Sequence, residues 1–100
     1  MGWCPAAKAA DIPAGQGKAV EAEGRRIALF NVGGKFHALA DSCPHRGGPL
    51  GDGYLDGKNV TCPWHAWEFD VTTGRCLTME GEKQQSYATK VENEKVWVEL

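Results

Sequence analysis

The chain has little of what would take it to a membrane, to nucleic acid or to a reaction of its own. No run of eighteen apolar residues occurs, so no membrane span is expected. Residues 1–10 have no basic start followed by an apolar run, and Arg25-Arg26 leads into a short strand-like stretch, so no targeting or export segment is expected. A formal net charge of −2 gives no basic field for nucleic acid and is too small to suggest a charged partner. There is no phosphate-cradling glycine loop and no nucleophile–base pair, so the chain alone is expected to turn over no substrate and not to be an enzyme. Histidine is limited to three residues and cysteine to four, few enough that each can be assigned a role. A cytoplasmic chain keeps its thiols reduced, and that is the location expected here.

What is present is an ordinary globular composition, 42% hydrophobic and 24% charged, over 100 residues: one domain, 1–100, with a modest core. Short alternating stretches between turn signals make it all-β. Residues 3–5 read as an opening strand, 8–12 as a turn closed by Pro13-Ala14-Gly15, and 18–22 as a strand ending at the hairpin turn Glu23-Gly24. In the stretch 25–32, Ile27, Leu29 and Asn31 share one face and Ala28, Phe30 and Val32 the other, which predicts a strand covered on both sides. Gly33-Gly34 turns it into a return strand, 35–41. A second small hairpin is expected around Asp56-Gly57, then a strand at 68–71 and a turn at 72–74. The polar stretch 81–85 reads as a loop. A last hairpin, 86–92 with 95–100, turns at Asn93-Glu94. No repeat, low-complexity run or linker interrupts this pattern.

Between the return strand and residue 68 lie two Cys/His pairs: Cys43-Pro44-His45, then sixteen residues, then Cys62-Pro63-Trp64-His65. Thiolate and neutral imidazole both suit iron and zinc. A Cys-x-His pair is too tight to chelate one tetrahedral ion comfortably, and fits a site whose neighbouring ligands go to two metals. A [2Fe–2S] cluster with two histidines on one iron is such a site. The alternative, a structural zinc module, usually uses Cys-x2–4-Cys and His-x3–5-His, and neither spacing occurs here.

These residues and their flanks, Cys43-Pro44-His45-Arg46-Gly47-Gly48-Pro49-Leu50 and Cys62-Pro63-Trp64-His65-Ala66-Trp67-Glu68-Phe69-Asp70, resemble the Rieske [2Fe–2S] signature, and the resemblance covers nearly the whole chain. It implies an antiparallel β-sheet base, sandwich- or barrel-like, with a cluster-binding subdomain at about 42–69. It also implies one Rieske-type [2Fe–2S] cluster per chain, with Cys43 and Cys62 on one iron and His45 and His65 on the other. Pro44, Arg46, Leu50, Pro63 and Trp64 would surround the histidines, as a docking patch, a shield or both. Trp67 and Phe69 are expected in the core beneath the loop, His37 at the surface, and Cys4 and Cys76 as small thiols outside the cluster.

The oxidised Rieske cluster has no net charge, so it accepts an electron more easily than an all-thiolate cluster, at roughly −150 to +300 mV against about −400 mV. High-potential family members carry an extra cysteine in each loop and a serine near the cluster; those positions are Gly48, Trp64 and Trp67 here, which implies the low end of the range. The family's proline-containing third loop is replaced by Leu77-Thr78-Met79-Glu80-Gly81, where Met79 could serve as cover. The resemblance implies a soluble ferredoxin passing single electrons from an NAD(P)H-dependent flavoprotein reductase to the oxygenase of an aromatic-ring hydroxylating dioxygenase system. The alternative is the small subunit of an assimilatory nitrite reductase, partnered by its large subunit. The chain is too short to be the catalytic oxygenase subunit itself, and neither nucleic acid nor a membrane is expected as a partner.

Overall fold

The computed structural model describes residues 2–41, 50–63, 67–79 and 81–100. Among these, ten strands form three antiparallel sheets. They are β1 (Trp3–Lys8), β2 (Gly17–Ala22), β3 (Arg25–Val32), β4 (Lys35–Ala40), β5 (Tyr54–Asp56), β6 (Asn59–Thr61), β7 (Glu68–Asp70), β8 (Ser86–Tyr87), β9 (Thr89–Glu92) and β10 (Lys95–Glu99). The sheet orders are β1-β10-β9, β2-β3-β4-β8 and β5-β6-β7. The third sheet lies, in sequence, between β4 and β8 of the second, so it is an insertion into the base.

The base is built by local turns. Glu23 and Gly24 have φ of 52° and 76°, Gly33 and Gly34 61° and 97°, and Asn93 and Glu94 54° and 65°. Positive φ at both central residues is what a two-residue type I′ hairpin requires, and its twist matches that of the strands it joins. All three turns fall where the sequence places them.

The four-stranded sheet is covered on both faces, as the alternation along β3 predicts. Ile27 and Leu29 join Ile12, Ala22, Ala38, Val96 and Val98 in one buried cluster, against the β1-β10-β9 sheet. Ala28 and Phe30 join Leu39, Leu50, Val60, Cys62, Phe69, Val71 and Cys76 in the other, against the inserted sheet. Each large aliphatic or aromatic side chain taken fully out of water contributes roughly 1.5–3 kcal/mol, so both seams are held chiefly by apolar burial. Asn31, the polar member of the first face, is satisfied: its Nδ2 donates to the Ile12 carbonyl at 2.8 Å and its Oδ1 accepts the Gly34 N–H at 2.8 Å.

Two expectations change. The opening strand runs to Lys8 rather than stopping at Pro5, because it pairs along β10 from Trp3↔Glu99 to Lys8↔Lys95, with a bulge between Pro5 and Ala7. The stretch 86–92 is not one strand. Ser86 and Tyr87 pair with β4, whereas Thr89–Glu92 pairs with β10. The chain changes sheets at Ala88, whose carbonyl accepts the Glu99 N–H at 3.0 Å.

Candidate metal centre

Both stretches expected to bind metal adjoin residues of one buried cluster. Leu50, the residue after the first, and Cys62, the opening residue of the second, share it.

The first stretch, 42–49, leaves the end of β4 at Asp41, whose side chain is 2% exposed. Four hydrogen bonds converge on this residue. Its N–H donates to the Arg26 carbonyl at 3.2 Å, and its carbonyl accepts the Leu50 N–H at 2.7 Å. Its Oδ1 accepts the Gly51 N–H at 2.8 Å, and its Oδ2 pairs with Arg26 Nη2 at 3.0 Å. Leu50–Asp52 form a single 3₁₀ turn that lies directly on β2. A side chain at Gly51 would put its Cβ 2.5 Å from the Ala19 nitrogen, so only glycine allows this approach.

The second stretch needs no such clasp. β6 and β7 pair with Thr61↔Glu68 in register, and the Cys62 N–H donating to the Trp67 carbonyl at 2.7 Å extends the ladder by one step. Cys62 is 1% exposed, its thiol unbonded to any described residue. The segment after β7 is stapled alongside. The Leu77 N–H donates to the Glu68 carbonyl at 2.7 Å, the Glu68 N–H to Thr78 Oγ1 at 2.9 Å, and the Met79 N–H to Cys76 Sγ at 3.4 Å. Leu77 and Met79, on this stapled segment, remain 46% and 47% exposed.

Of the four predicted ligands, Cys62 is described; Cys43, His45 and His65 lie outside the described residues, as do Pro44, Arg46, Gly48, Trp64 and Glu80. Cys62 fits an iron–sulfur cluster: a buried soft donor, its backbone N–H held by the Trp67 carbonyl, its thiol without a hydrogen-bond partner among the described residues. Phe69 is fully buried, and the half-buried Trp67 packs against the same core, as expected. Leu50, expected around the histidines, is fully buried in the core and so offers no surface for docking. His37 is partly exposed on β4. Burial pushes its pKa down, Asp70 pulls it up and Lys35 adds a further downward push. Cys76 is buried and Cys4 half-buried, both free thiols.

Sequence reasoning passed over Asp41, Arg26 and Gly51. The available signal was a lone carboxylate following the apolar run Ala38-Leu39-Ala40, two positions before a predicted ligand. Asp70, at the end of β7, is a second acidic anchor. Burial works against its charge, but the Thr72 hydroxyl and N–H, together with Lys58 at 3.4 Å, hold its carboxyl below the usual value.

Comparison with known proteins agrees with this geometry. A model of the Rieske [2Fe–2S] domain matches residues 2–93. The ferredoxin component of the naphthalene 1,2-dioxygenase/salicylate 5-hydroxylase systems of Ralstonia sp. is 36% identical, over 98% of this chain and 95% of that protein. A chain from the complex of reduced oxygenase and oxidized ferredoxin in carbazole 1,9a-dioxygenase superposes with a TM-score of 0.87 at 30% identity, covering 96% of this chain and 91% of that one. A protein assigned as an NADPH nitrite reductase small subunit shares the fold, with a TM-score of 0.84 at 22% identity and full coverage of both chains. With its base of antiparallel sheets, inserted three-stranded sheet and buried Cys62, the chain belongs to the Rieske [2Fe–2S] domain family, whose cofactor is a Rieske-type [2Fe–2S] cluster.

Proposed function

We propose that this chain is a low-potential, cytoplasmic Rieske ferredoxin. It carries single electrons from an NAD(P)H-dependent flavoprotein reductase to the terminal oxygenase of an aromatic-ring hydroxylating system. The observation that carries this reading is the likeness to the Ralstonia ferredoxin component over essentially the whole of both chains. Residues 1–100 form one domain, with residues 42–69 as its cluster-binding part. Cys43 and Cys62 ligate one iron, His45 and His65 the other. The cluster supplies one-electron chemistry.

The protein's own part is to hold these ligands still. The Asp41–Leu50 and Cys62–Trp67 hydrogen bonds tie the residues on either side of both ligand-bearing stretches to a shared core, which limits rearrangement when charge changes. Trp67 packs its indole where high-potential members place a serine, which supports a potential at the low end of the Rieske range. Leu77 and Met79 offer apolar surface next to the second loop for a partner to cover.

The test is to reduce the purified protein anaerobically and mix it with resting enzymes. Rapid reoxidation by a ring-hydroxylating oxygenase is expected. Reoxidation only by a sirohaem nitrite reductase would replace this reading with the nitrite reductase subunit. A midpoint potential above about +100 mV, well inside the Rieske range, would refute the low-potential assignment.

A further inference from the structure

The two metal-binding stretches are closed by different means. Cys62 and Trp67 end two paired strands, so the ladder itself brings them together. Residues 42–49 follow a strand and precede a 3₁₀ turn, and among the described residues no strand pairing joins Asp41 to Leu50. Among the described residues, one backbone hydrogen bond joins Asp41 to Leu50 across this span, and a single bond offsets only part of the entropy lost in holding two such ends together. Asp41 supplies what the ladder does not. Its carboxylate binds the Gly51 N–H on the far side of the span and Arg26 on β3 behind it, with both oxygens used and the group 2% exposed. Gly51 is itself seated on the backbone of Ala19, so the clasp ties the loop's far end to the base sheet.

We propose that Asp41 is a positioning residue for the metal centre: its carboxylate, backed by Arg26 and received by Gly51, fixes the two residues, Asp41 and Leu50, between which the chain carries Cys43 and His45. This rests on the ligand assignment above. A merely structural carboxylate would destabilise the whole fold when removed. A positioning one would loosen the metal centre ahead of the fold.

The experiment compares cluster-loaded wild-type protein with D41A, D41N, R26M and, as a control, V98A, which weakens the core on the opposite face of the base. Loss of visible absorbance in the presence of an iron chelator is followed alongside global unfolding by far-ultraviolet circular dichroism, and each reduced protein is examined by EPR. D41A is expected to lose iron at least tenfold faster than V98A when the two are compared at equal loss of thermal stability, and to broaden the rhombic signal. D41N keeps an oxygen for Gly51 and should fall between D41A and wild type. R26M, a change at an exposed side chain that the fold should accept, should speed iron loss severalfold. The proposal is overturned if D41N and R26M release iron at the wild-type rate with an unchanged signal, or if D41A releases it no faster than V98A. If wild-type protein gives no rhombic signal on reduction, the ligand assignment fails, and the proposal with it.

Discussion

Replacing Gly51 by alanine should damage the seam between the base sheet and the metal-binding part, in a way that no neighbouring side-chain change can repair. The added Cβ would lie 2.5 Å from the Ala19 nitrogen, 2.7 Å from its Cα and 2.9 Å from its Cβ. Two of these three atoms are backbone of β2, paired in register with β3 at Ala19↔Ala28, and cannot rotate away. The turn must lift instead, stretching the bond from the Gly51 N–H to Asp41. Overpacking of this kind costs about 1–3 kcal/mol. At about 2 kcal/mol a domain of this size loses roughly 8–16 °C of thermal stability. Trimming the neighbour removes only the 2.9 Å contact, so A19G/G51A should recover little, and a double-mutant cycle should give a coupling below about 0.5 kcal/mol. The assay is anaerobic thermal unfolding of the cluster-loaded proteins, read both by circular dichroism and by visible absorbance. G51A within about 2 °C of wild type, or full rescue by A19G, would refute the close backbone approach on which the clasp depends.

The two buried cysteines should behave oppositely. C62S should lose the visible chromophore, whereas C76S should keep full iron content, since a serine hydroxyl can still accept the Met79 N–H; equal loss in both variants would contradict the ligand set. F69A, which empties a fully buried site in the core under both loops, should cost about 3–5 kcal/mol in chemical denaturation. Because the folded-state pKa of Asp70 lies below its ordinary value of 3.8, its contribution is complete above that value and is lost as pH falls through the lower folded value. D70N should therefore flatten the acid limb of a stability–pH profile below about pH 4 and leave the shape of its neutral region unchanged; an acid limb identical to wild type would remove Asp70 from the account.

Much of the molecule could be read from local pattern. The three I′ turns need only two residues each, and the two-sided alternation of β3 follows from a period of two along one strand, so both survive any choice of neighbours. The metal chemistry was equally local: residue type and spacing in two short stretches name the family, although Cys62 is the only one of the four predicted ligands among the described residues. Tertiary structure decided whatever depends on residues distant in sequence. Only the pairing of the chain's two ends extends β1 to Lys8, and only the change of sheets at Ala88 splits 86–92. The Asp41 clasp also escaped the sequence, because its partners come from a strand fifteen residues earlier and a turn ten residues later. An isolated aspartate carries no mark of which N–H or guanidinium it will meet; that meeting exists only after burial has brought β3, β4 and the 3₁₀ turn onto one core.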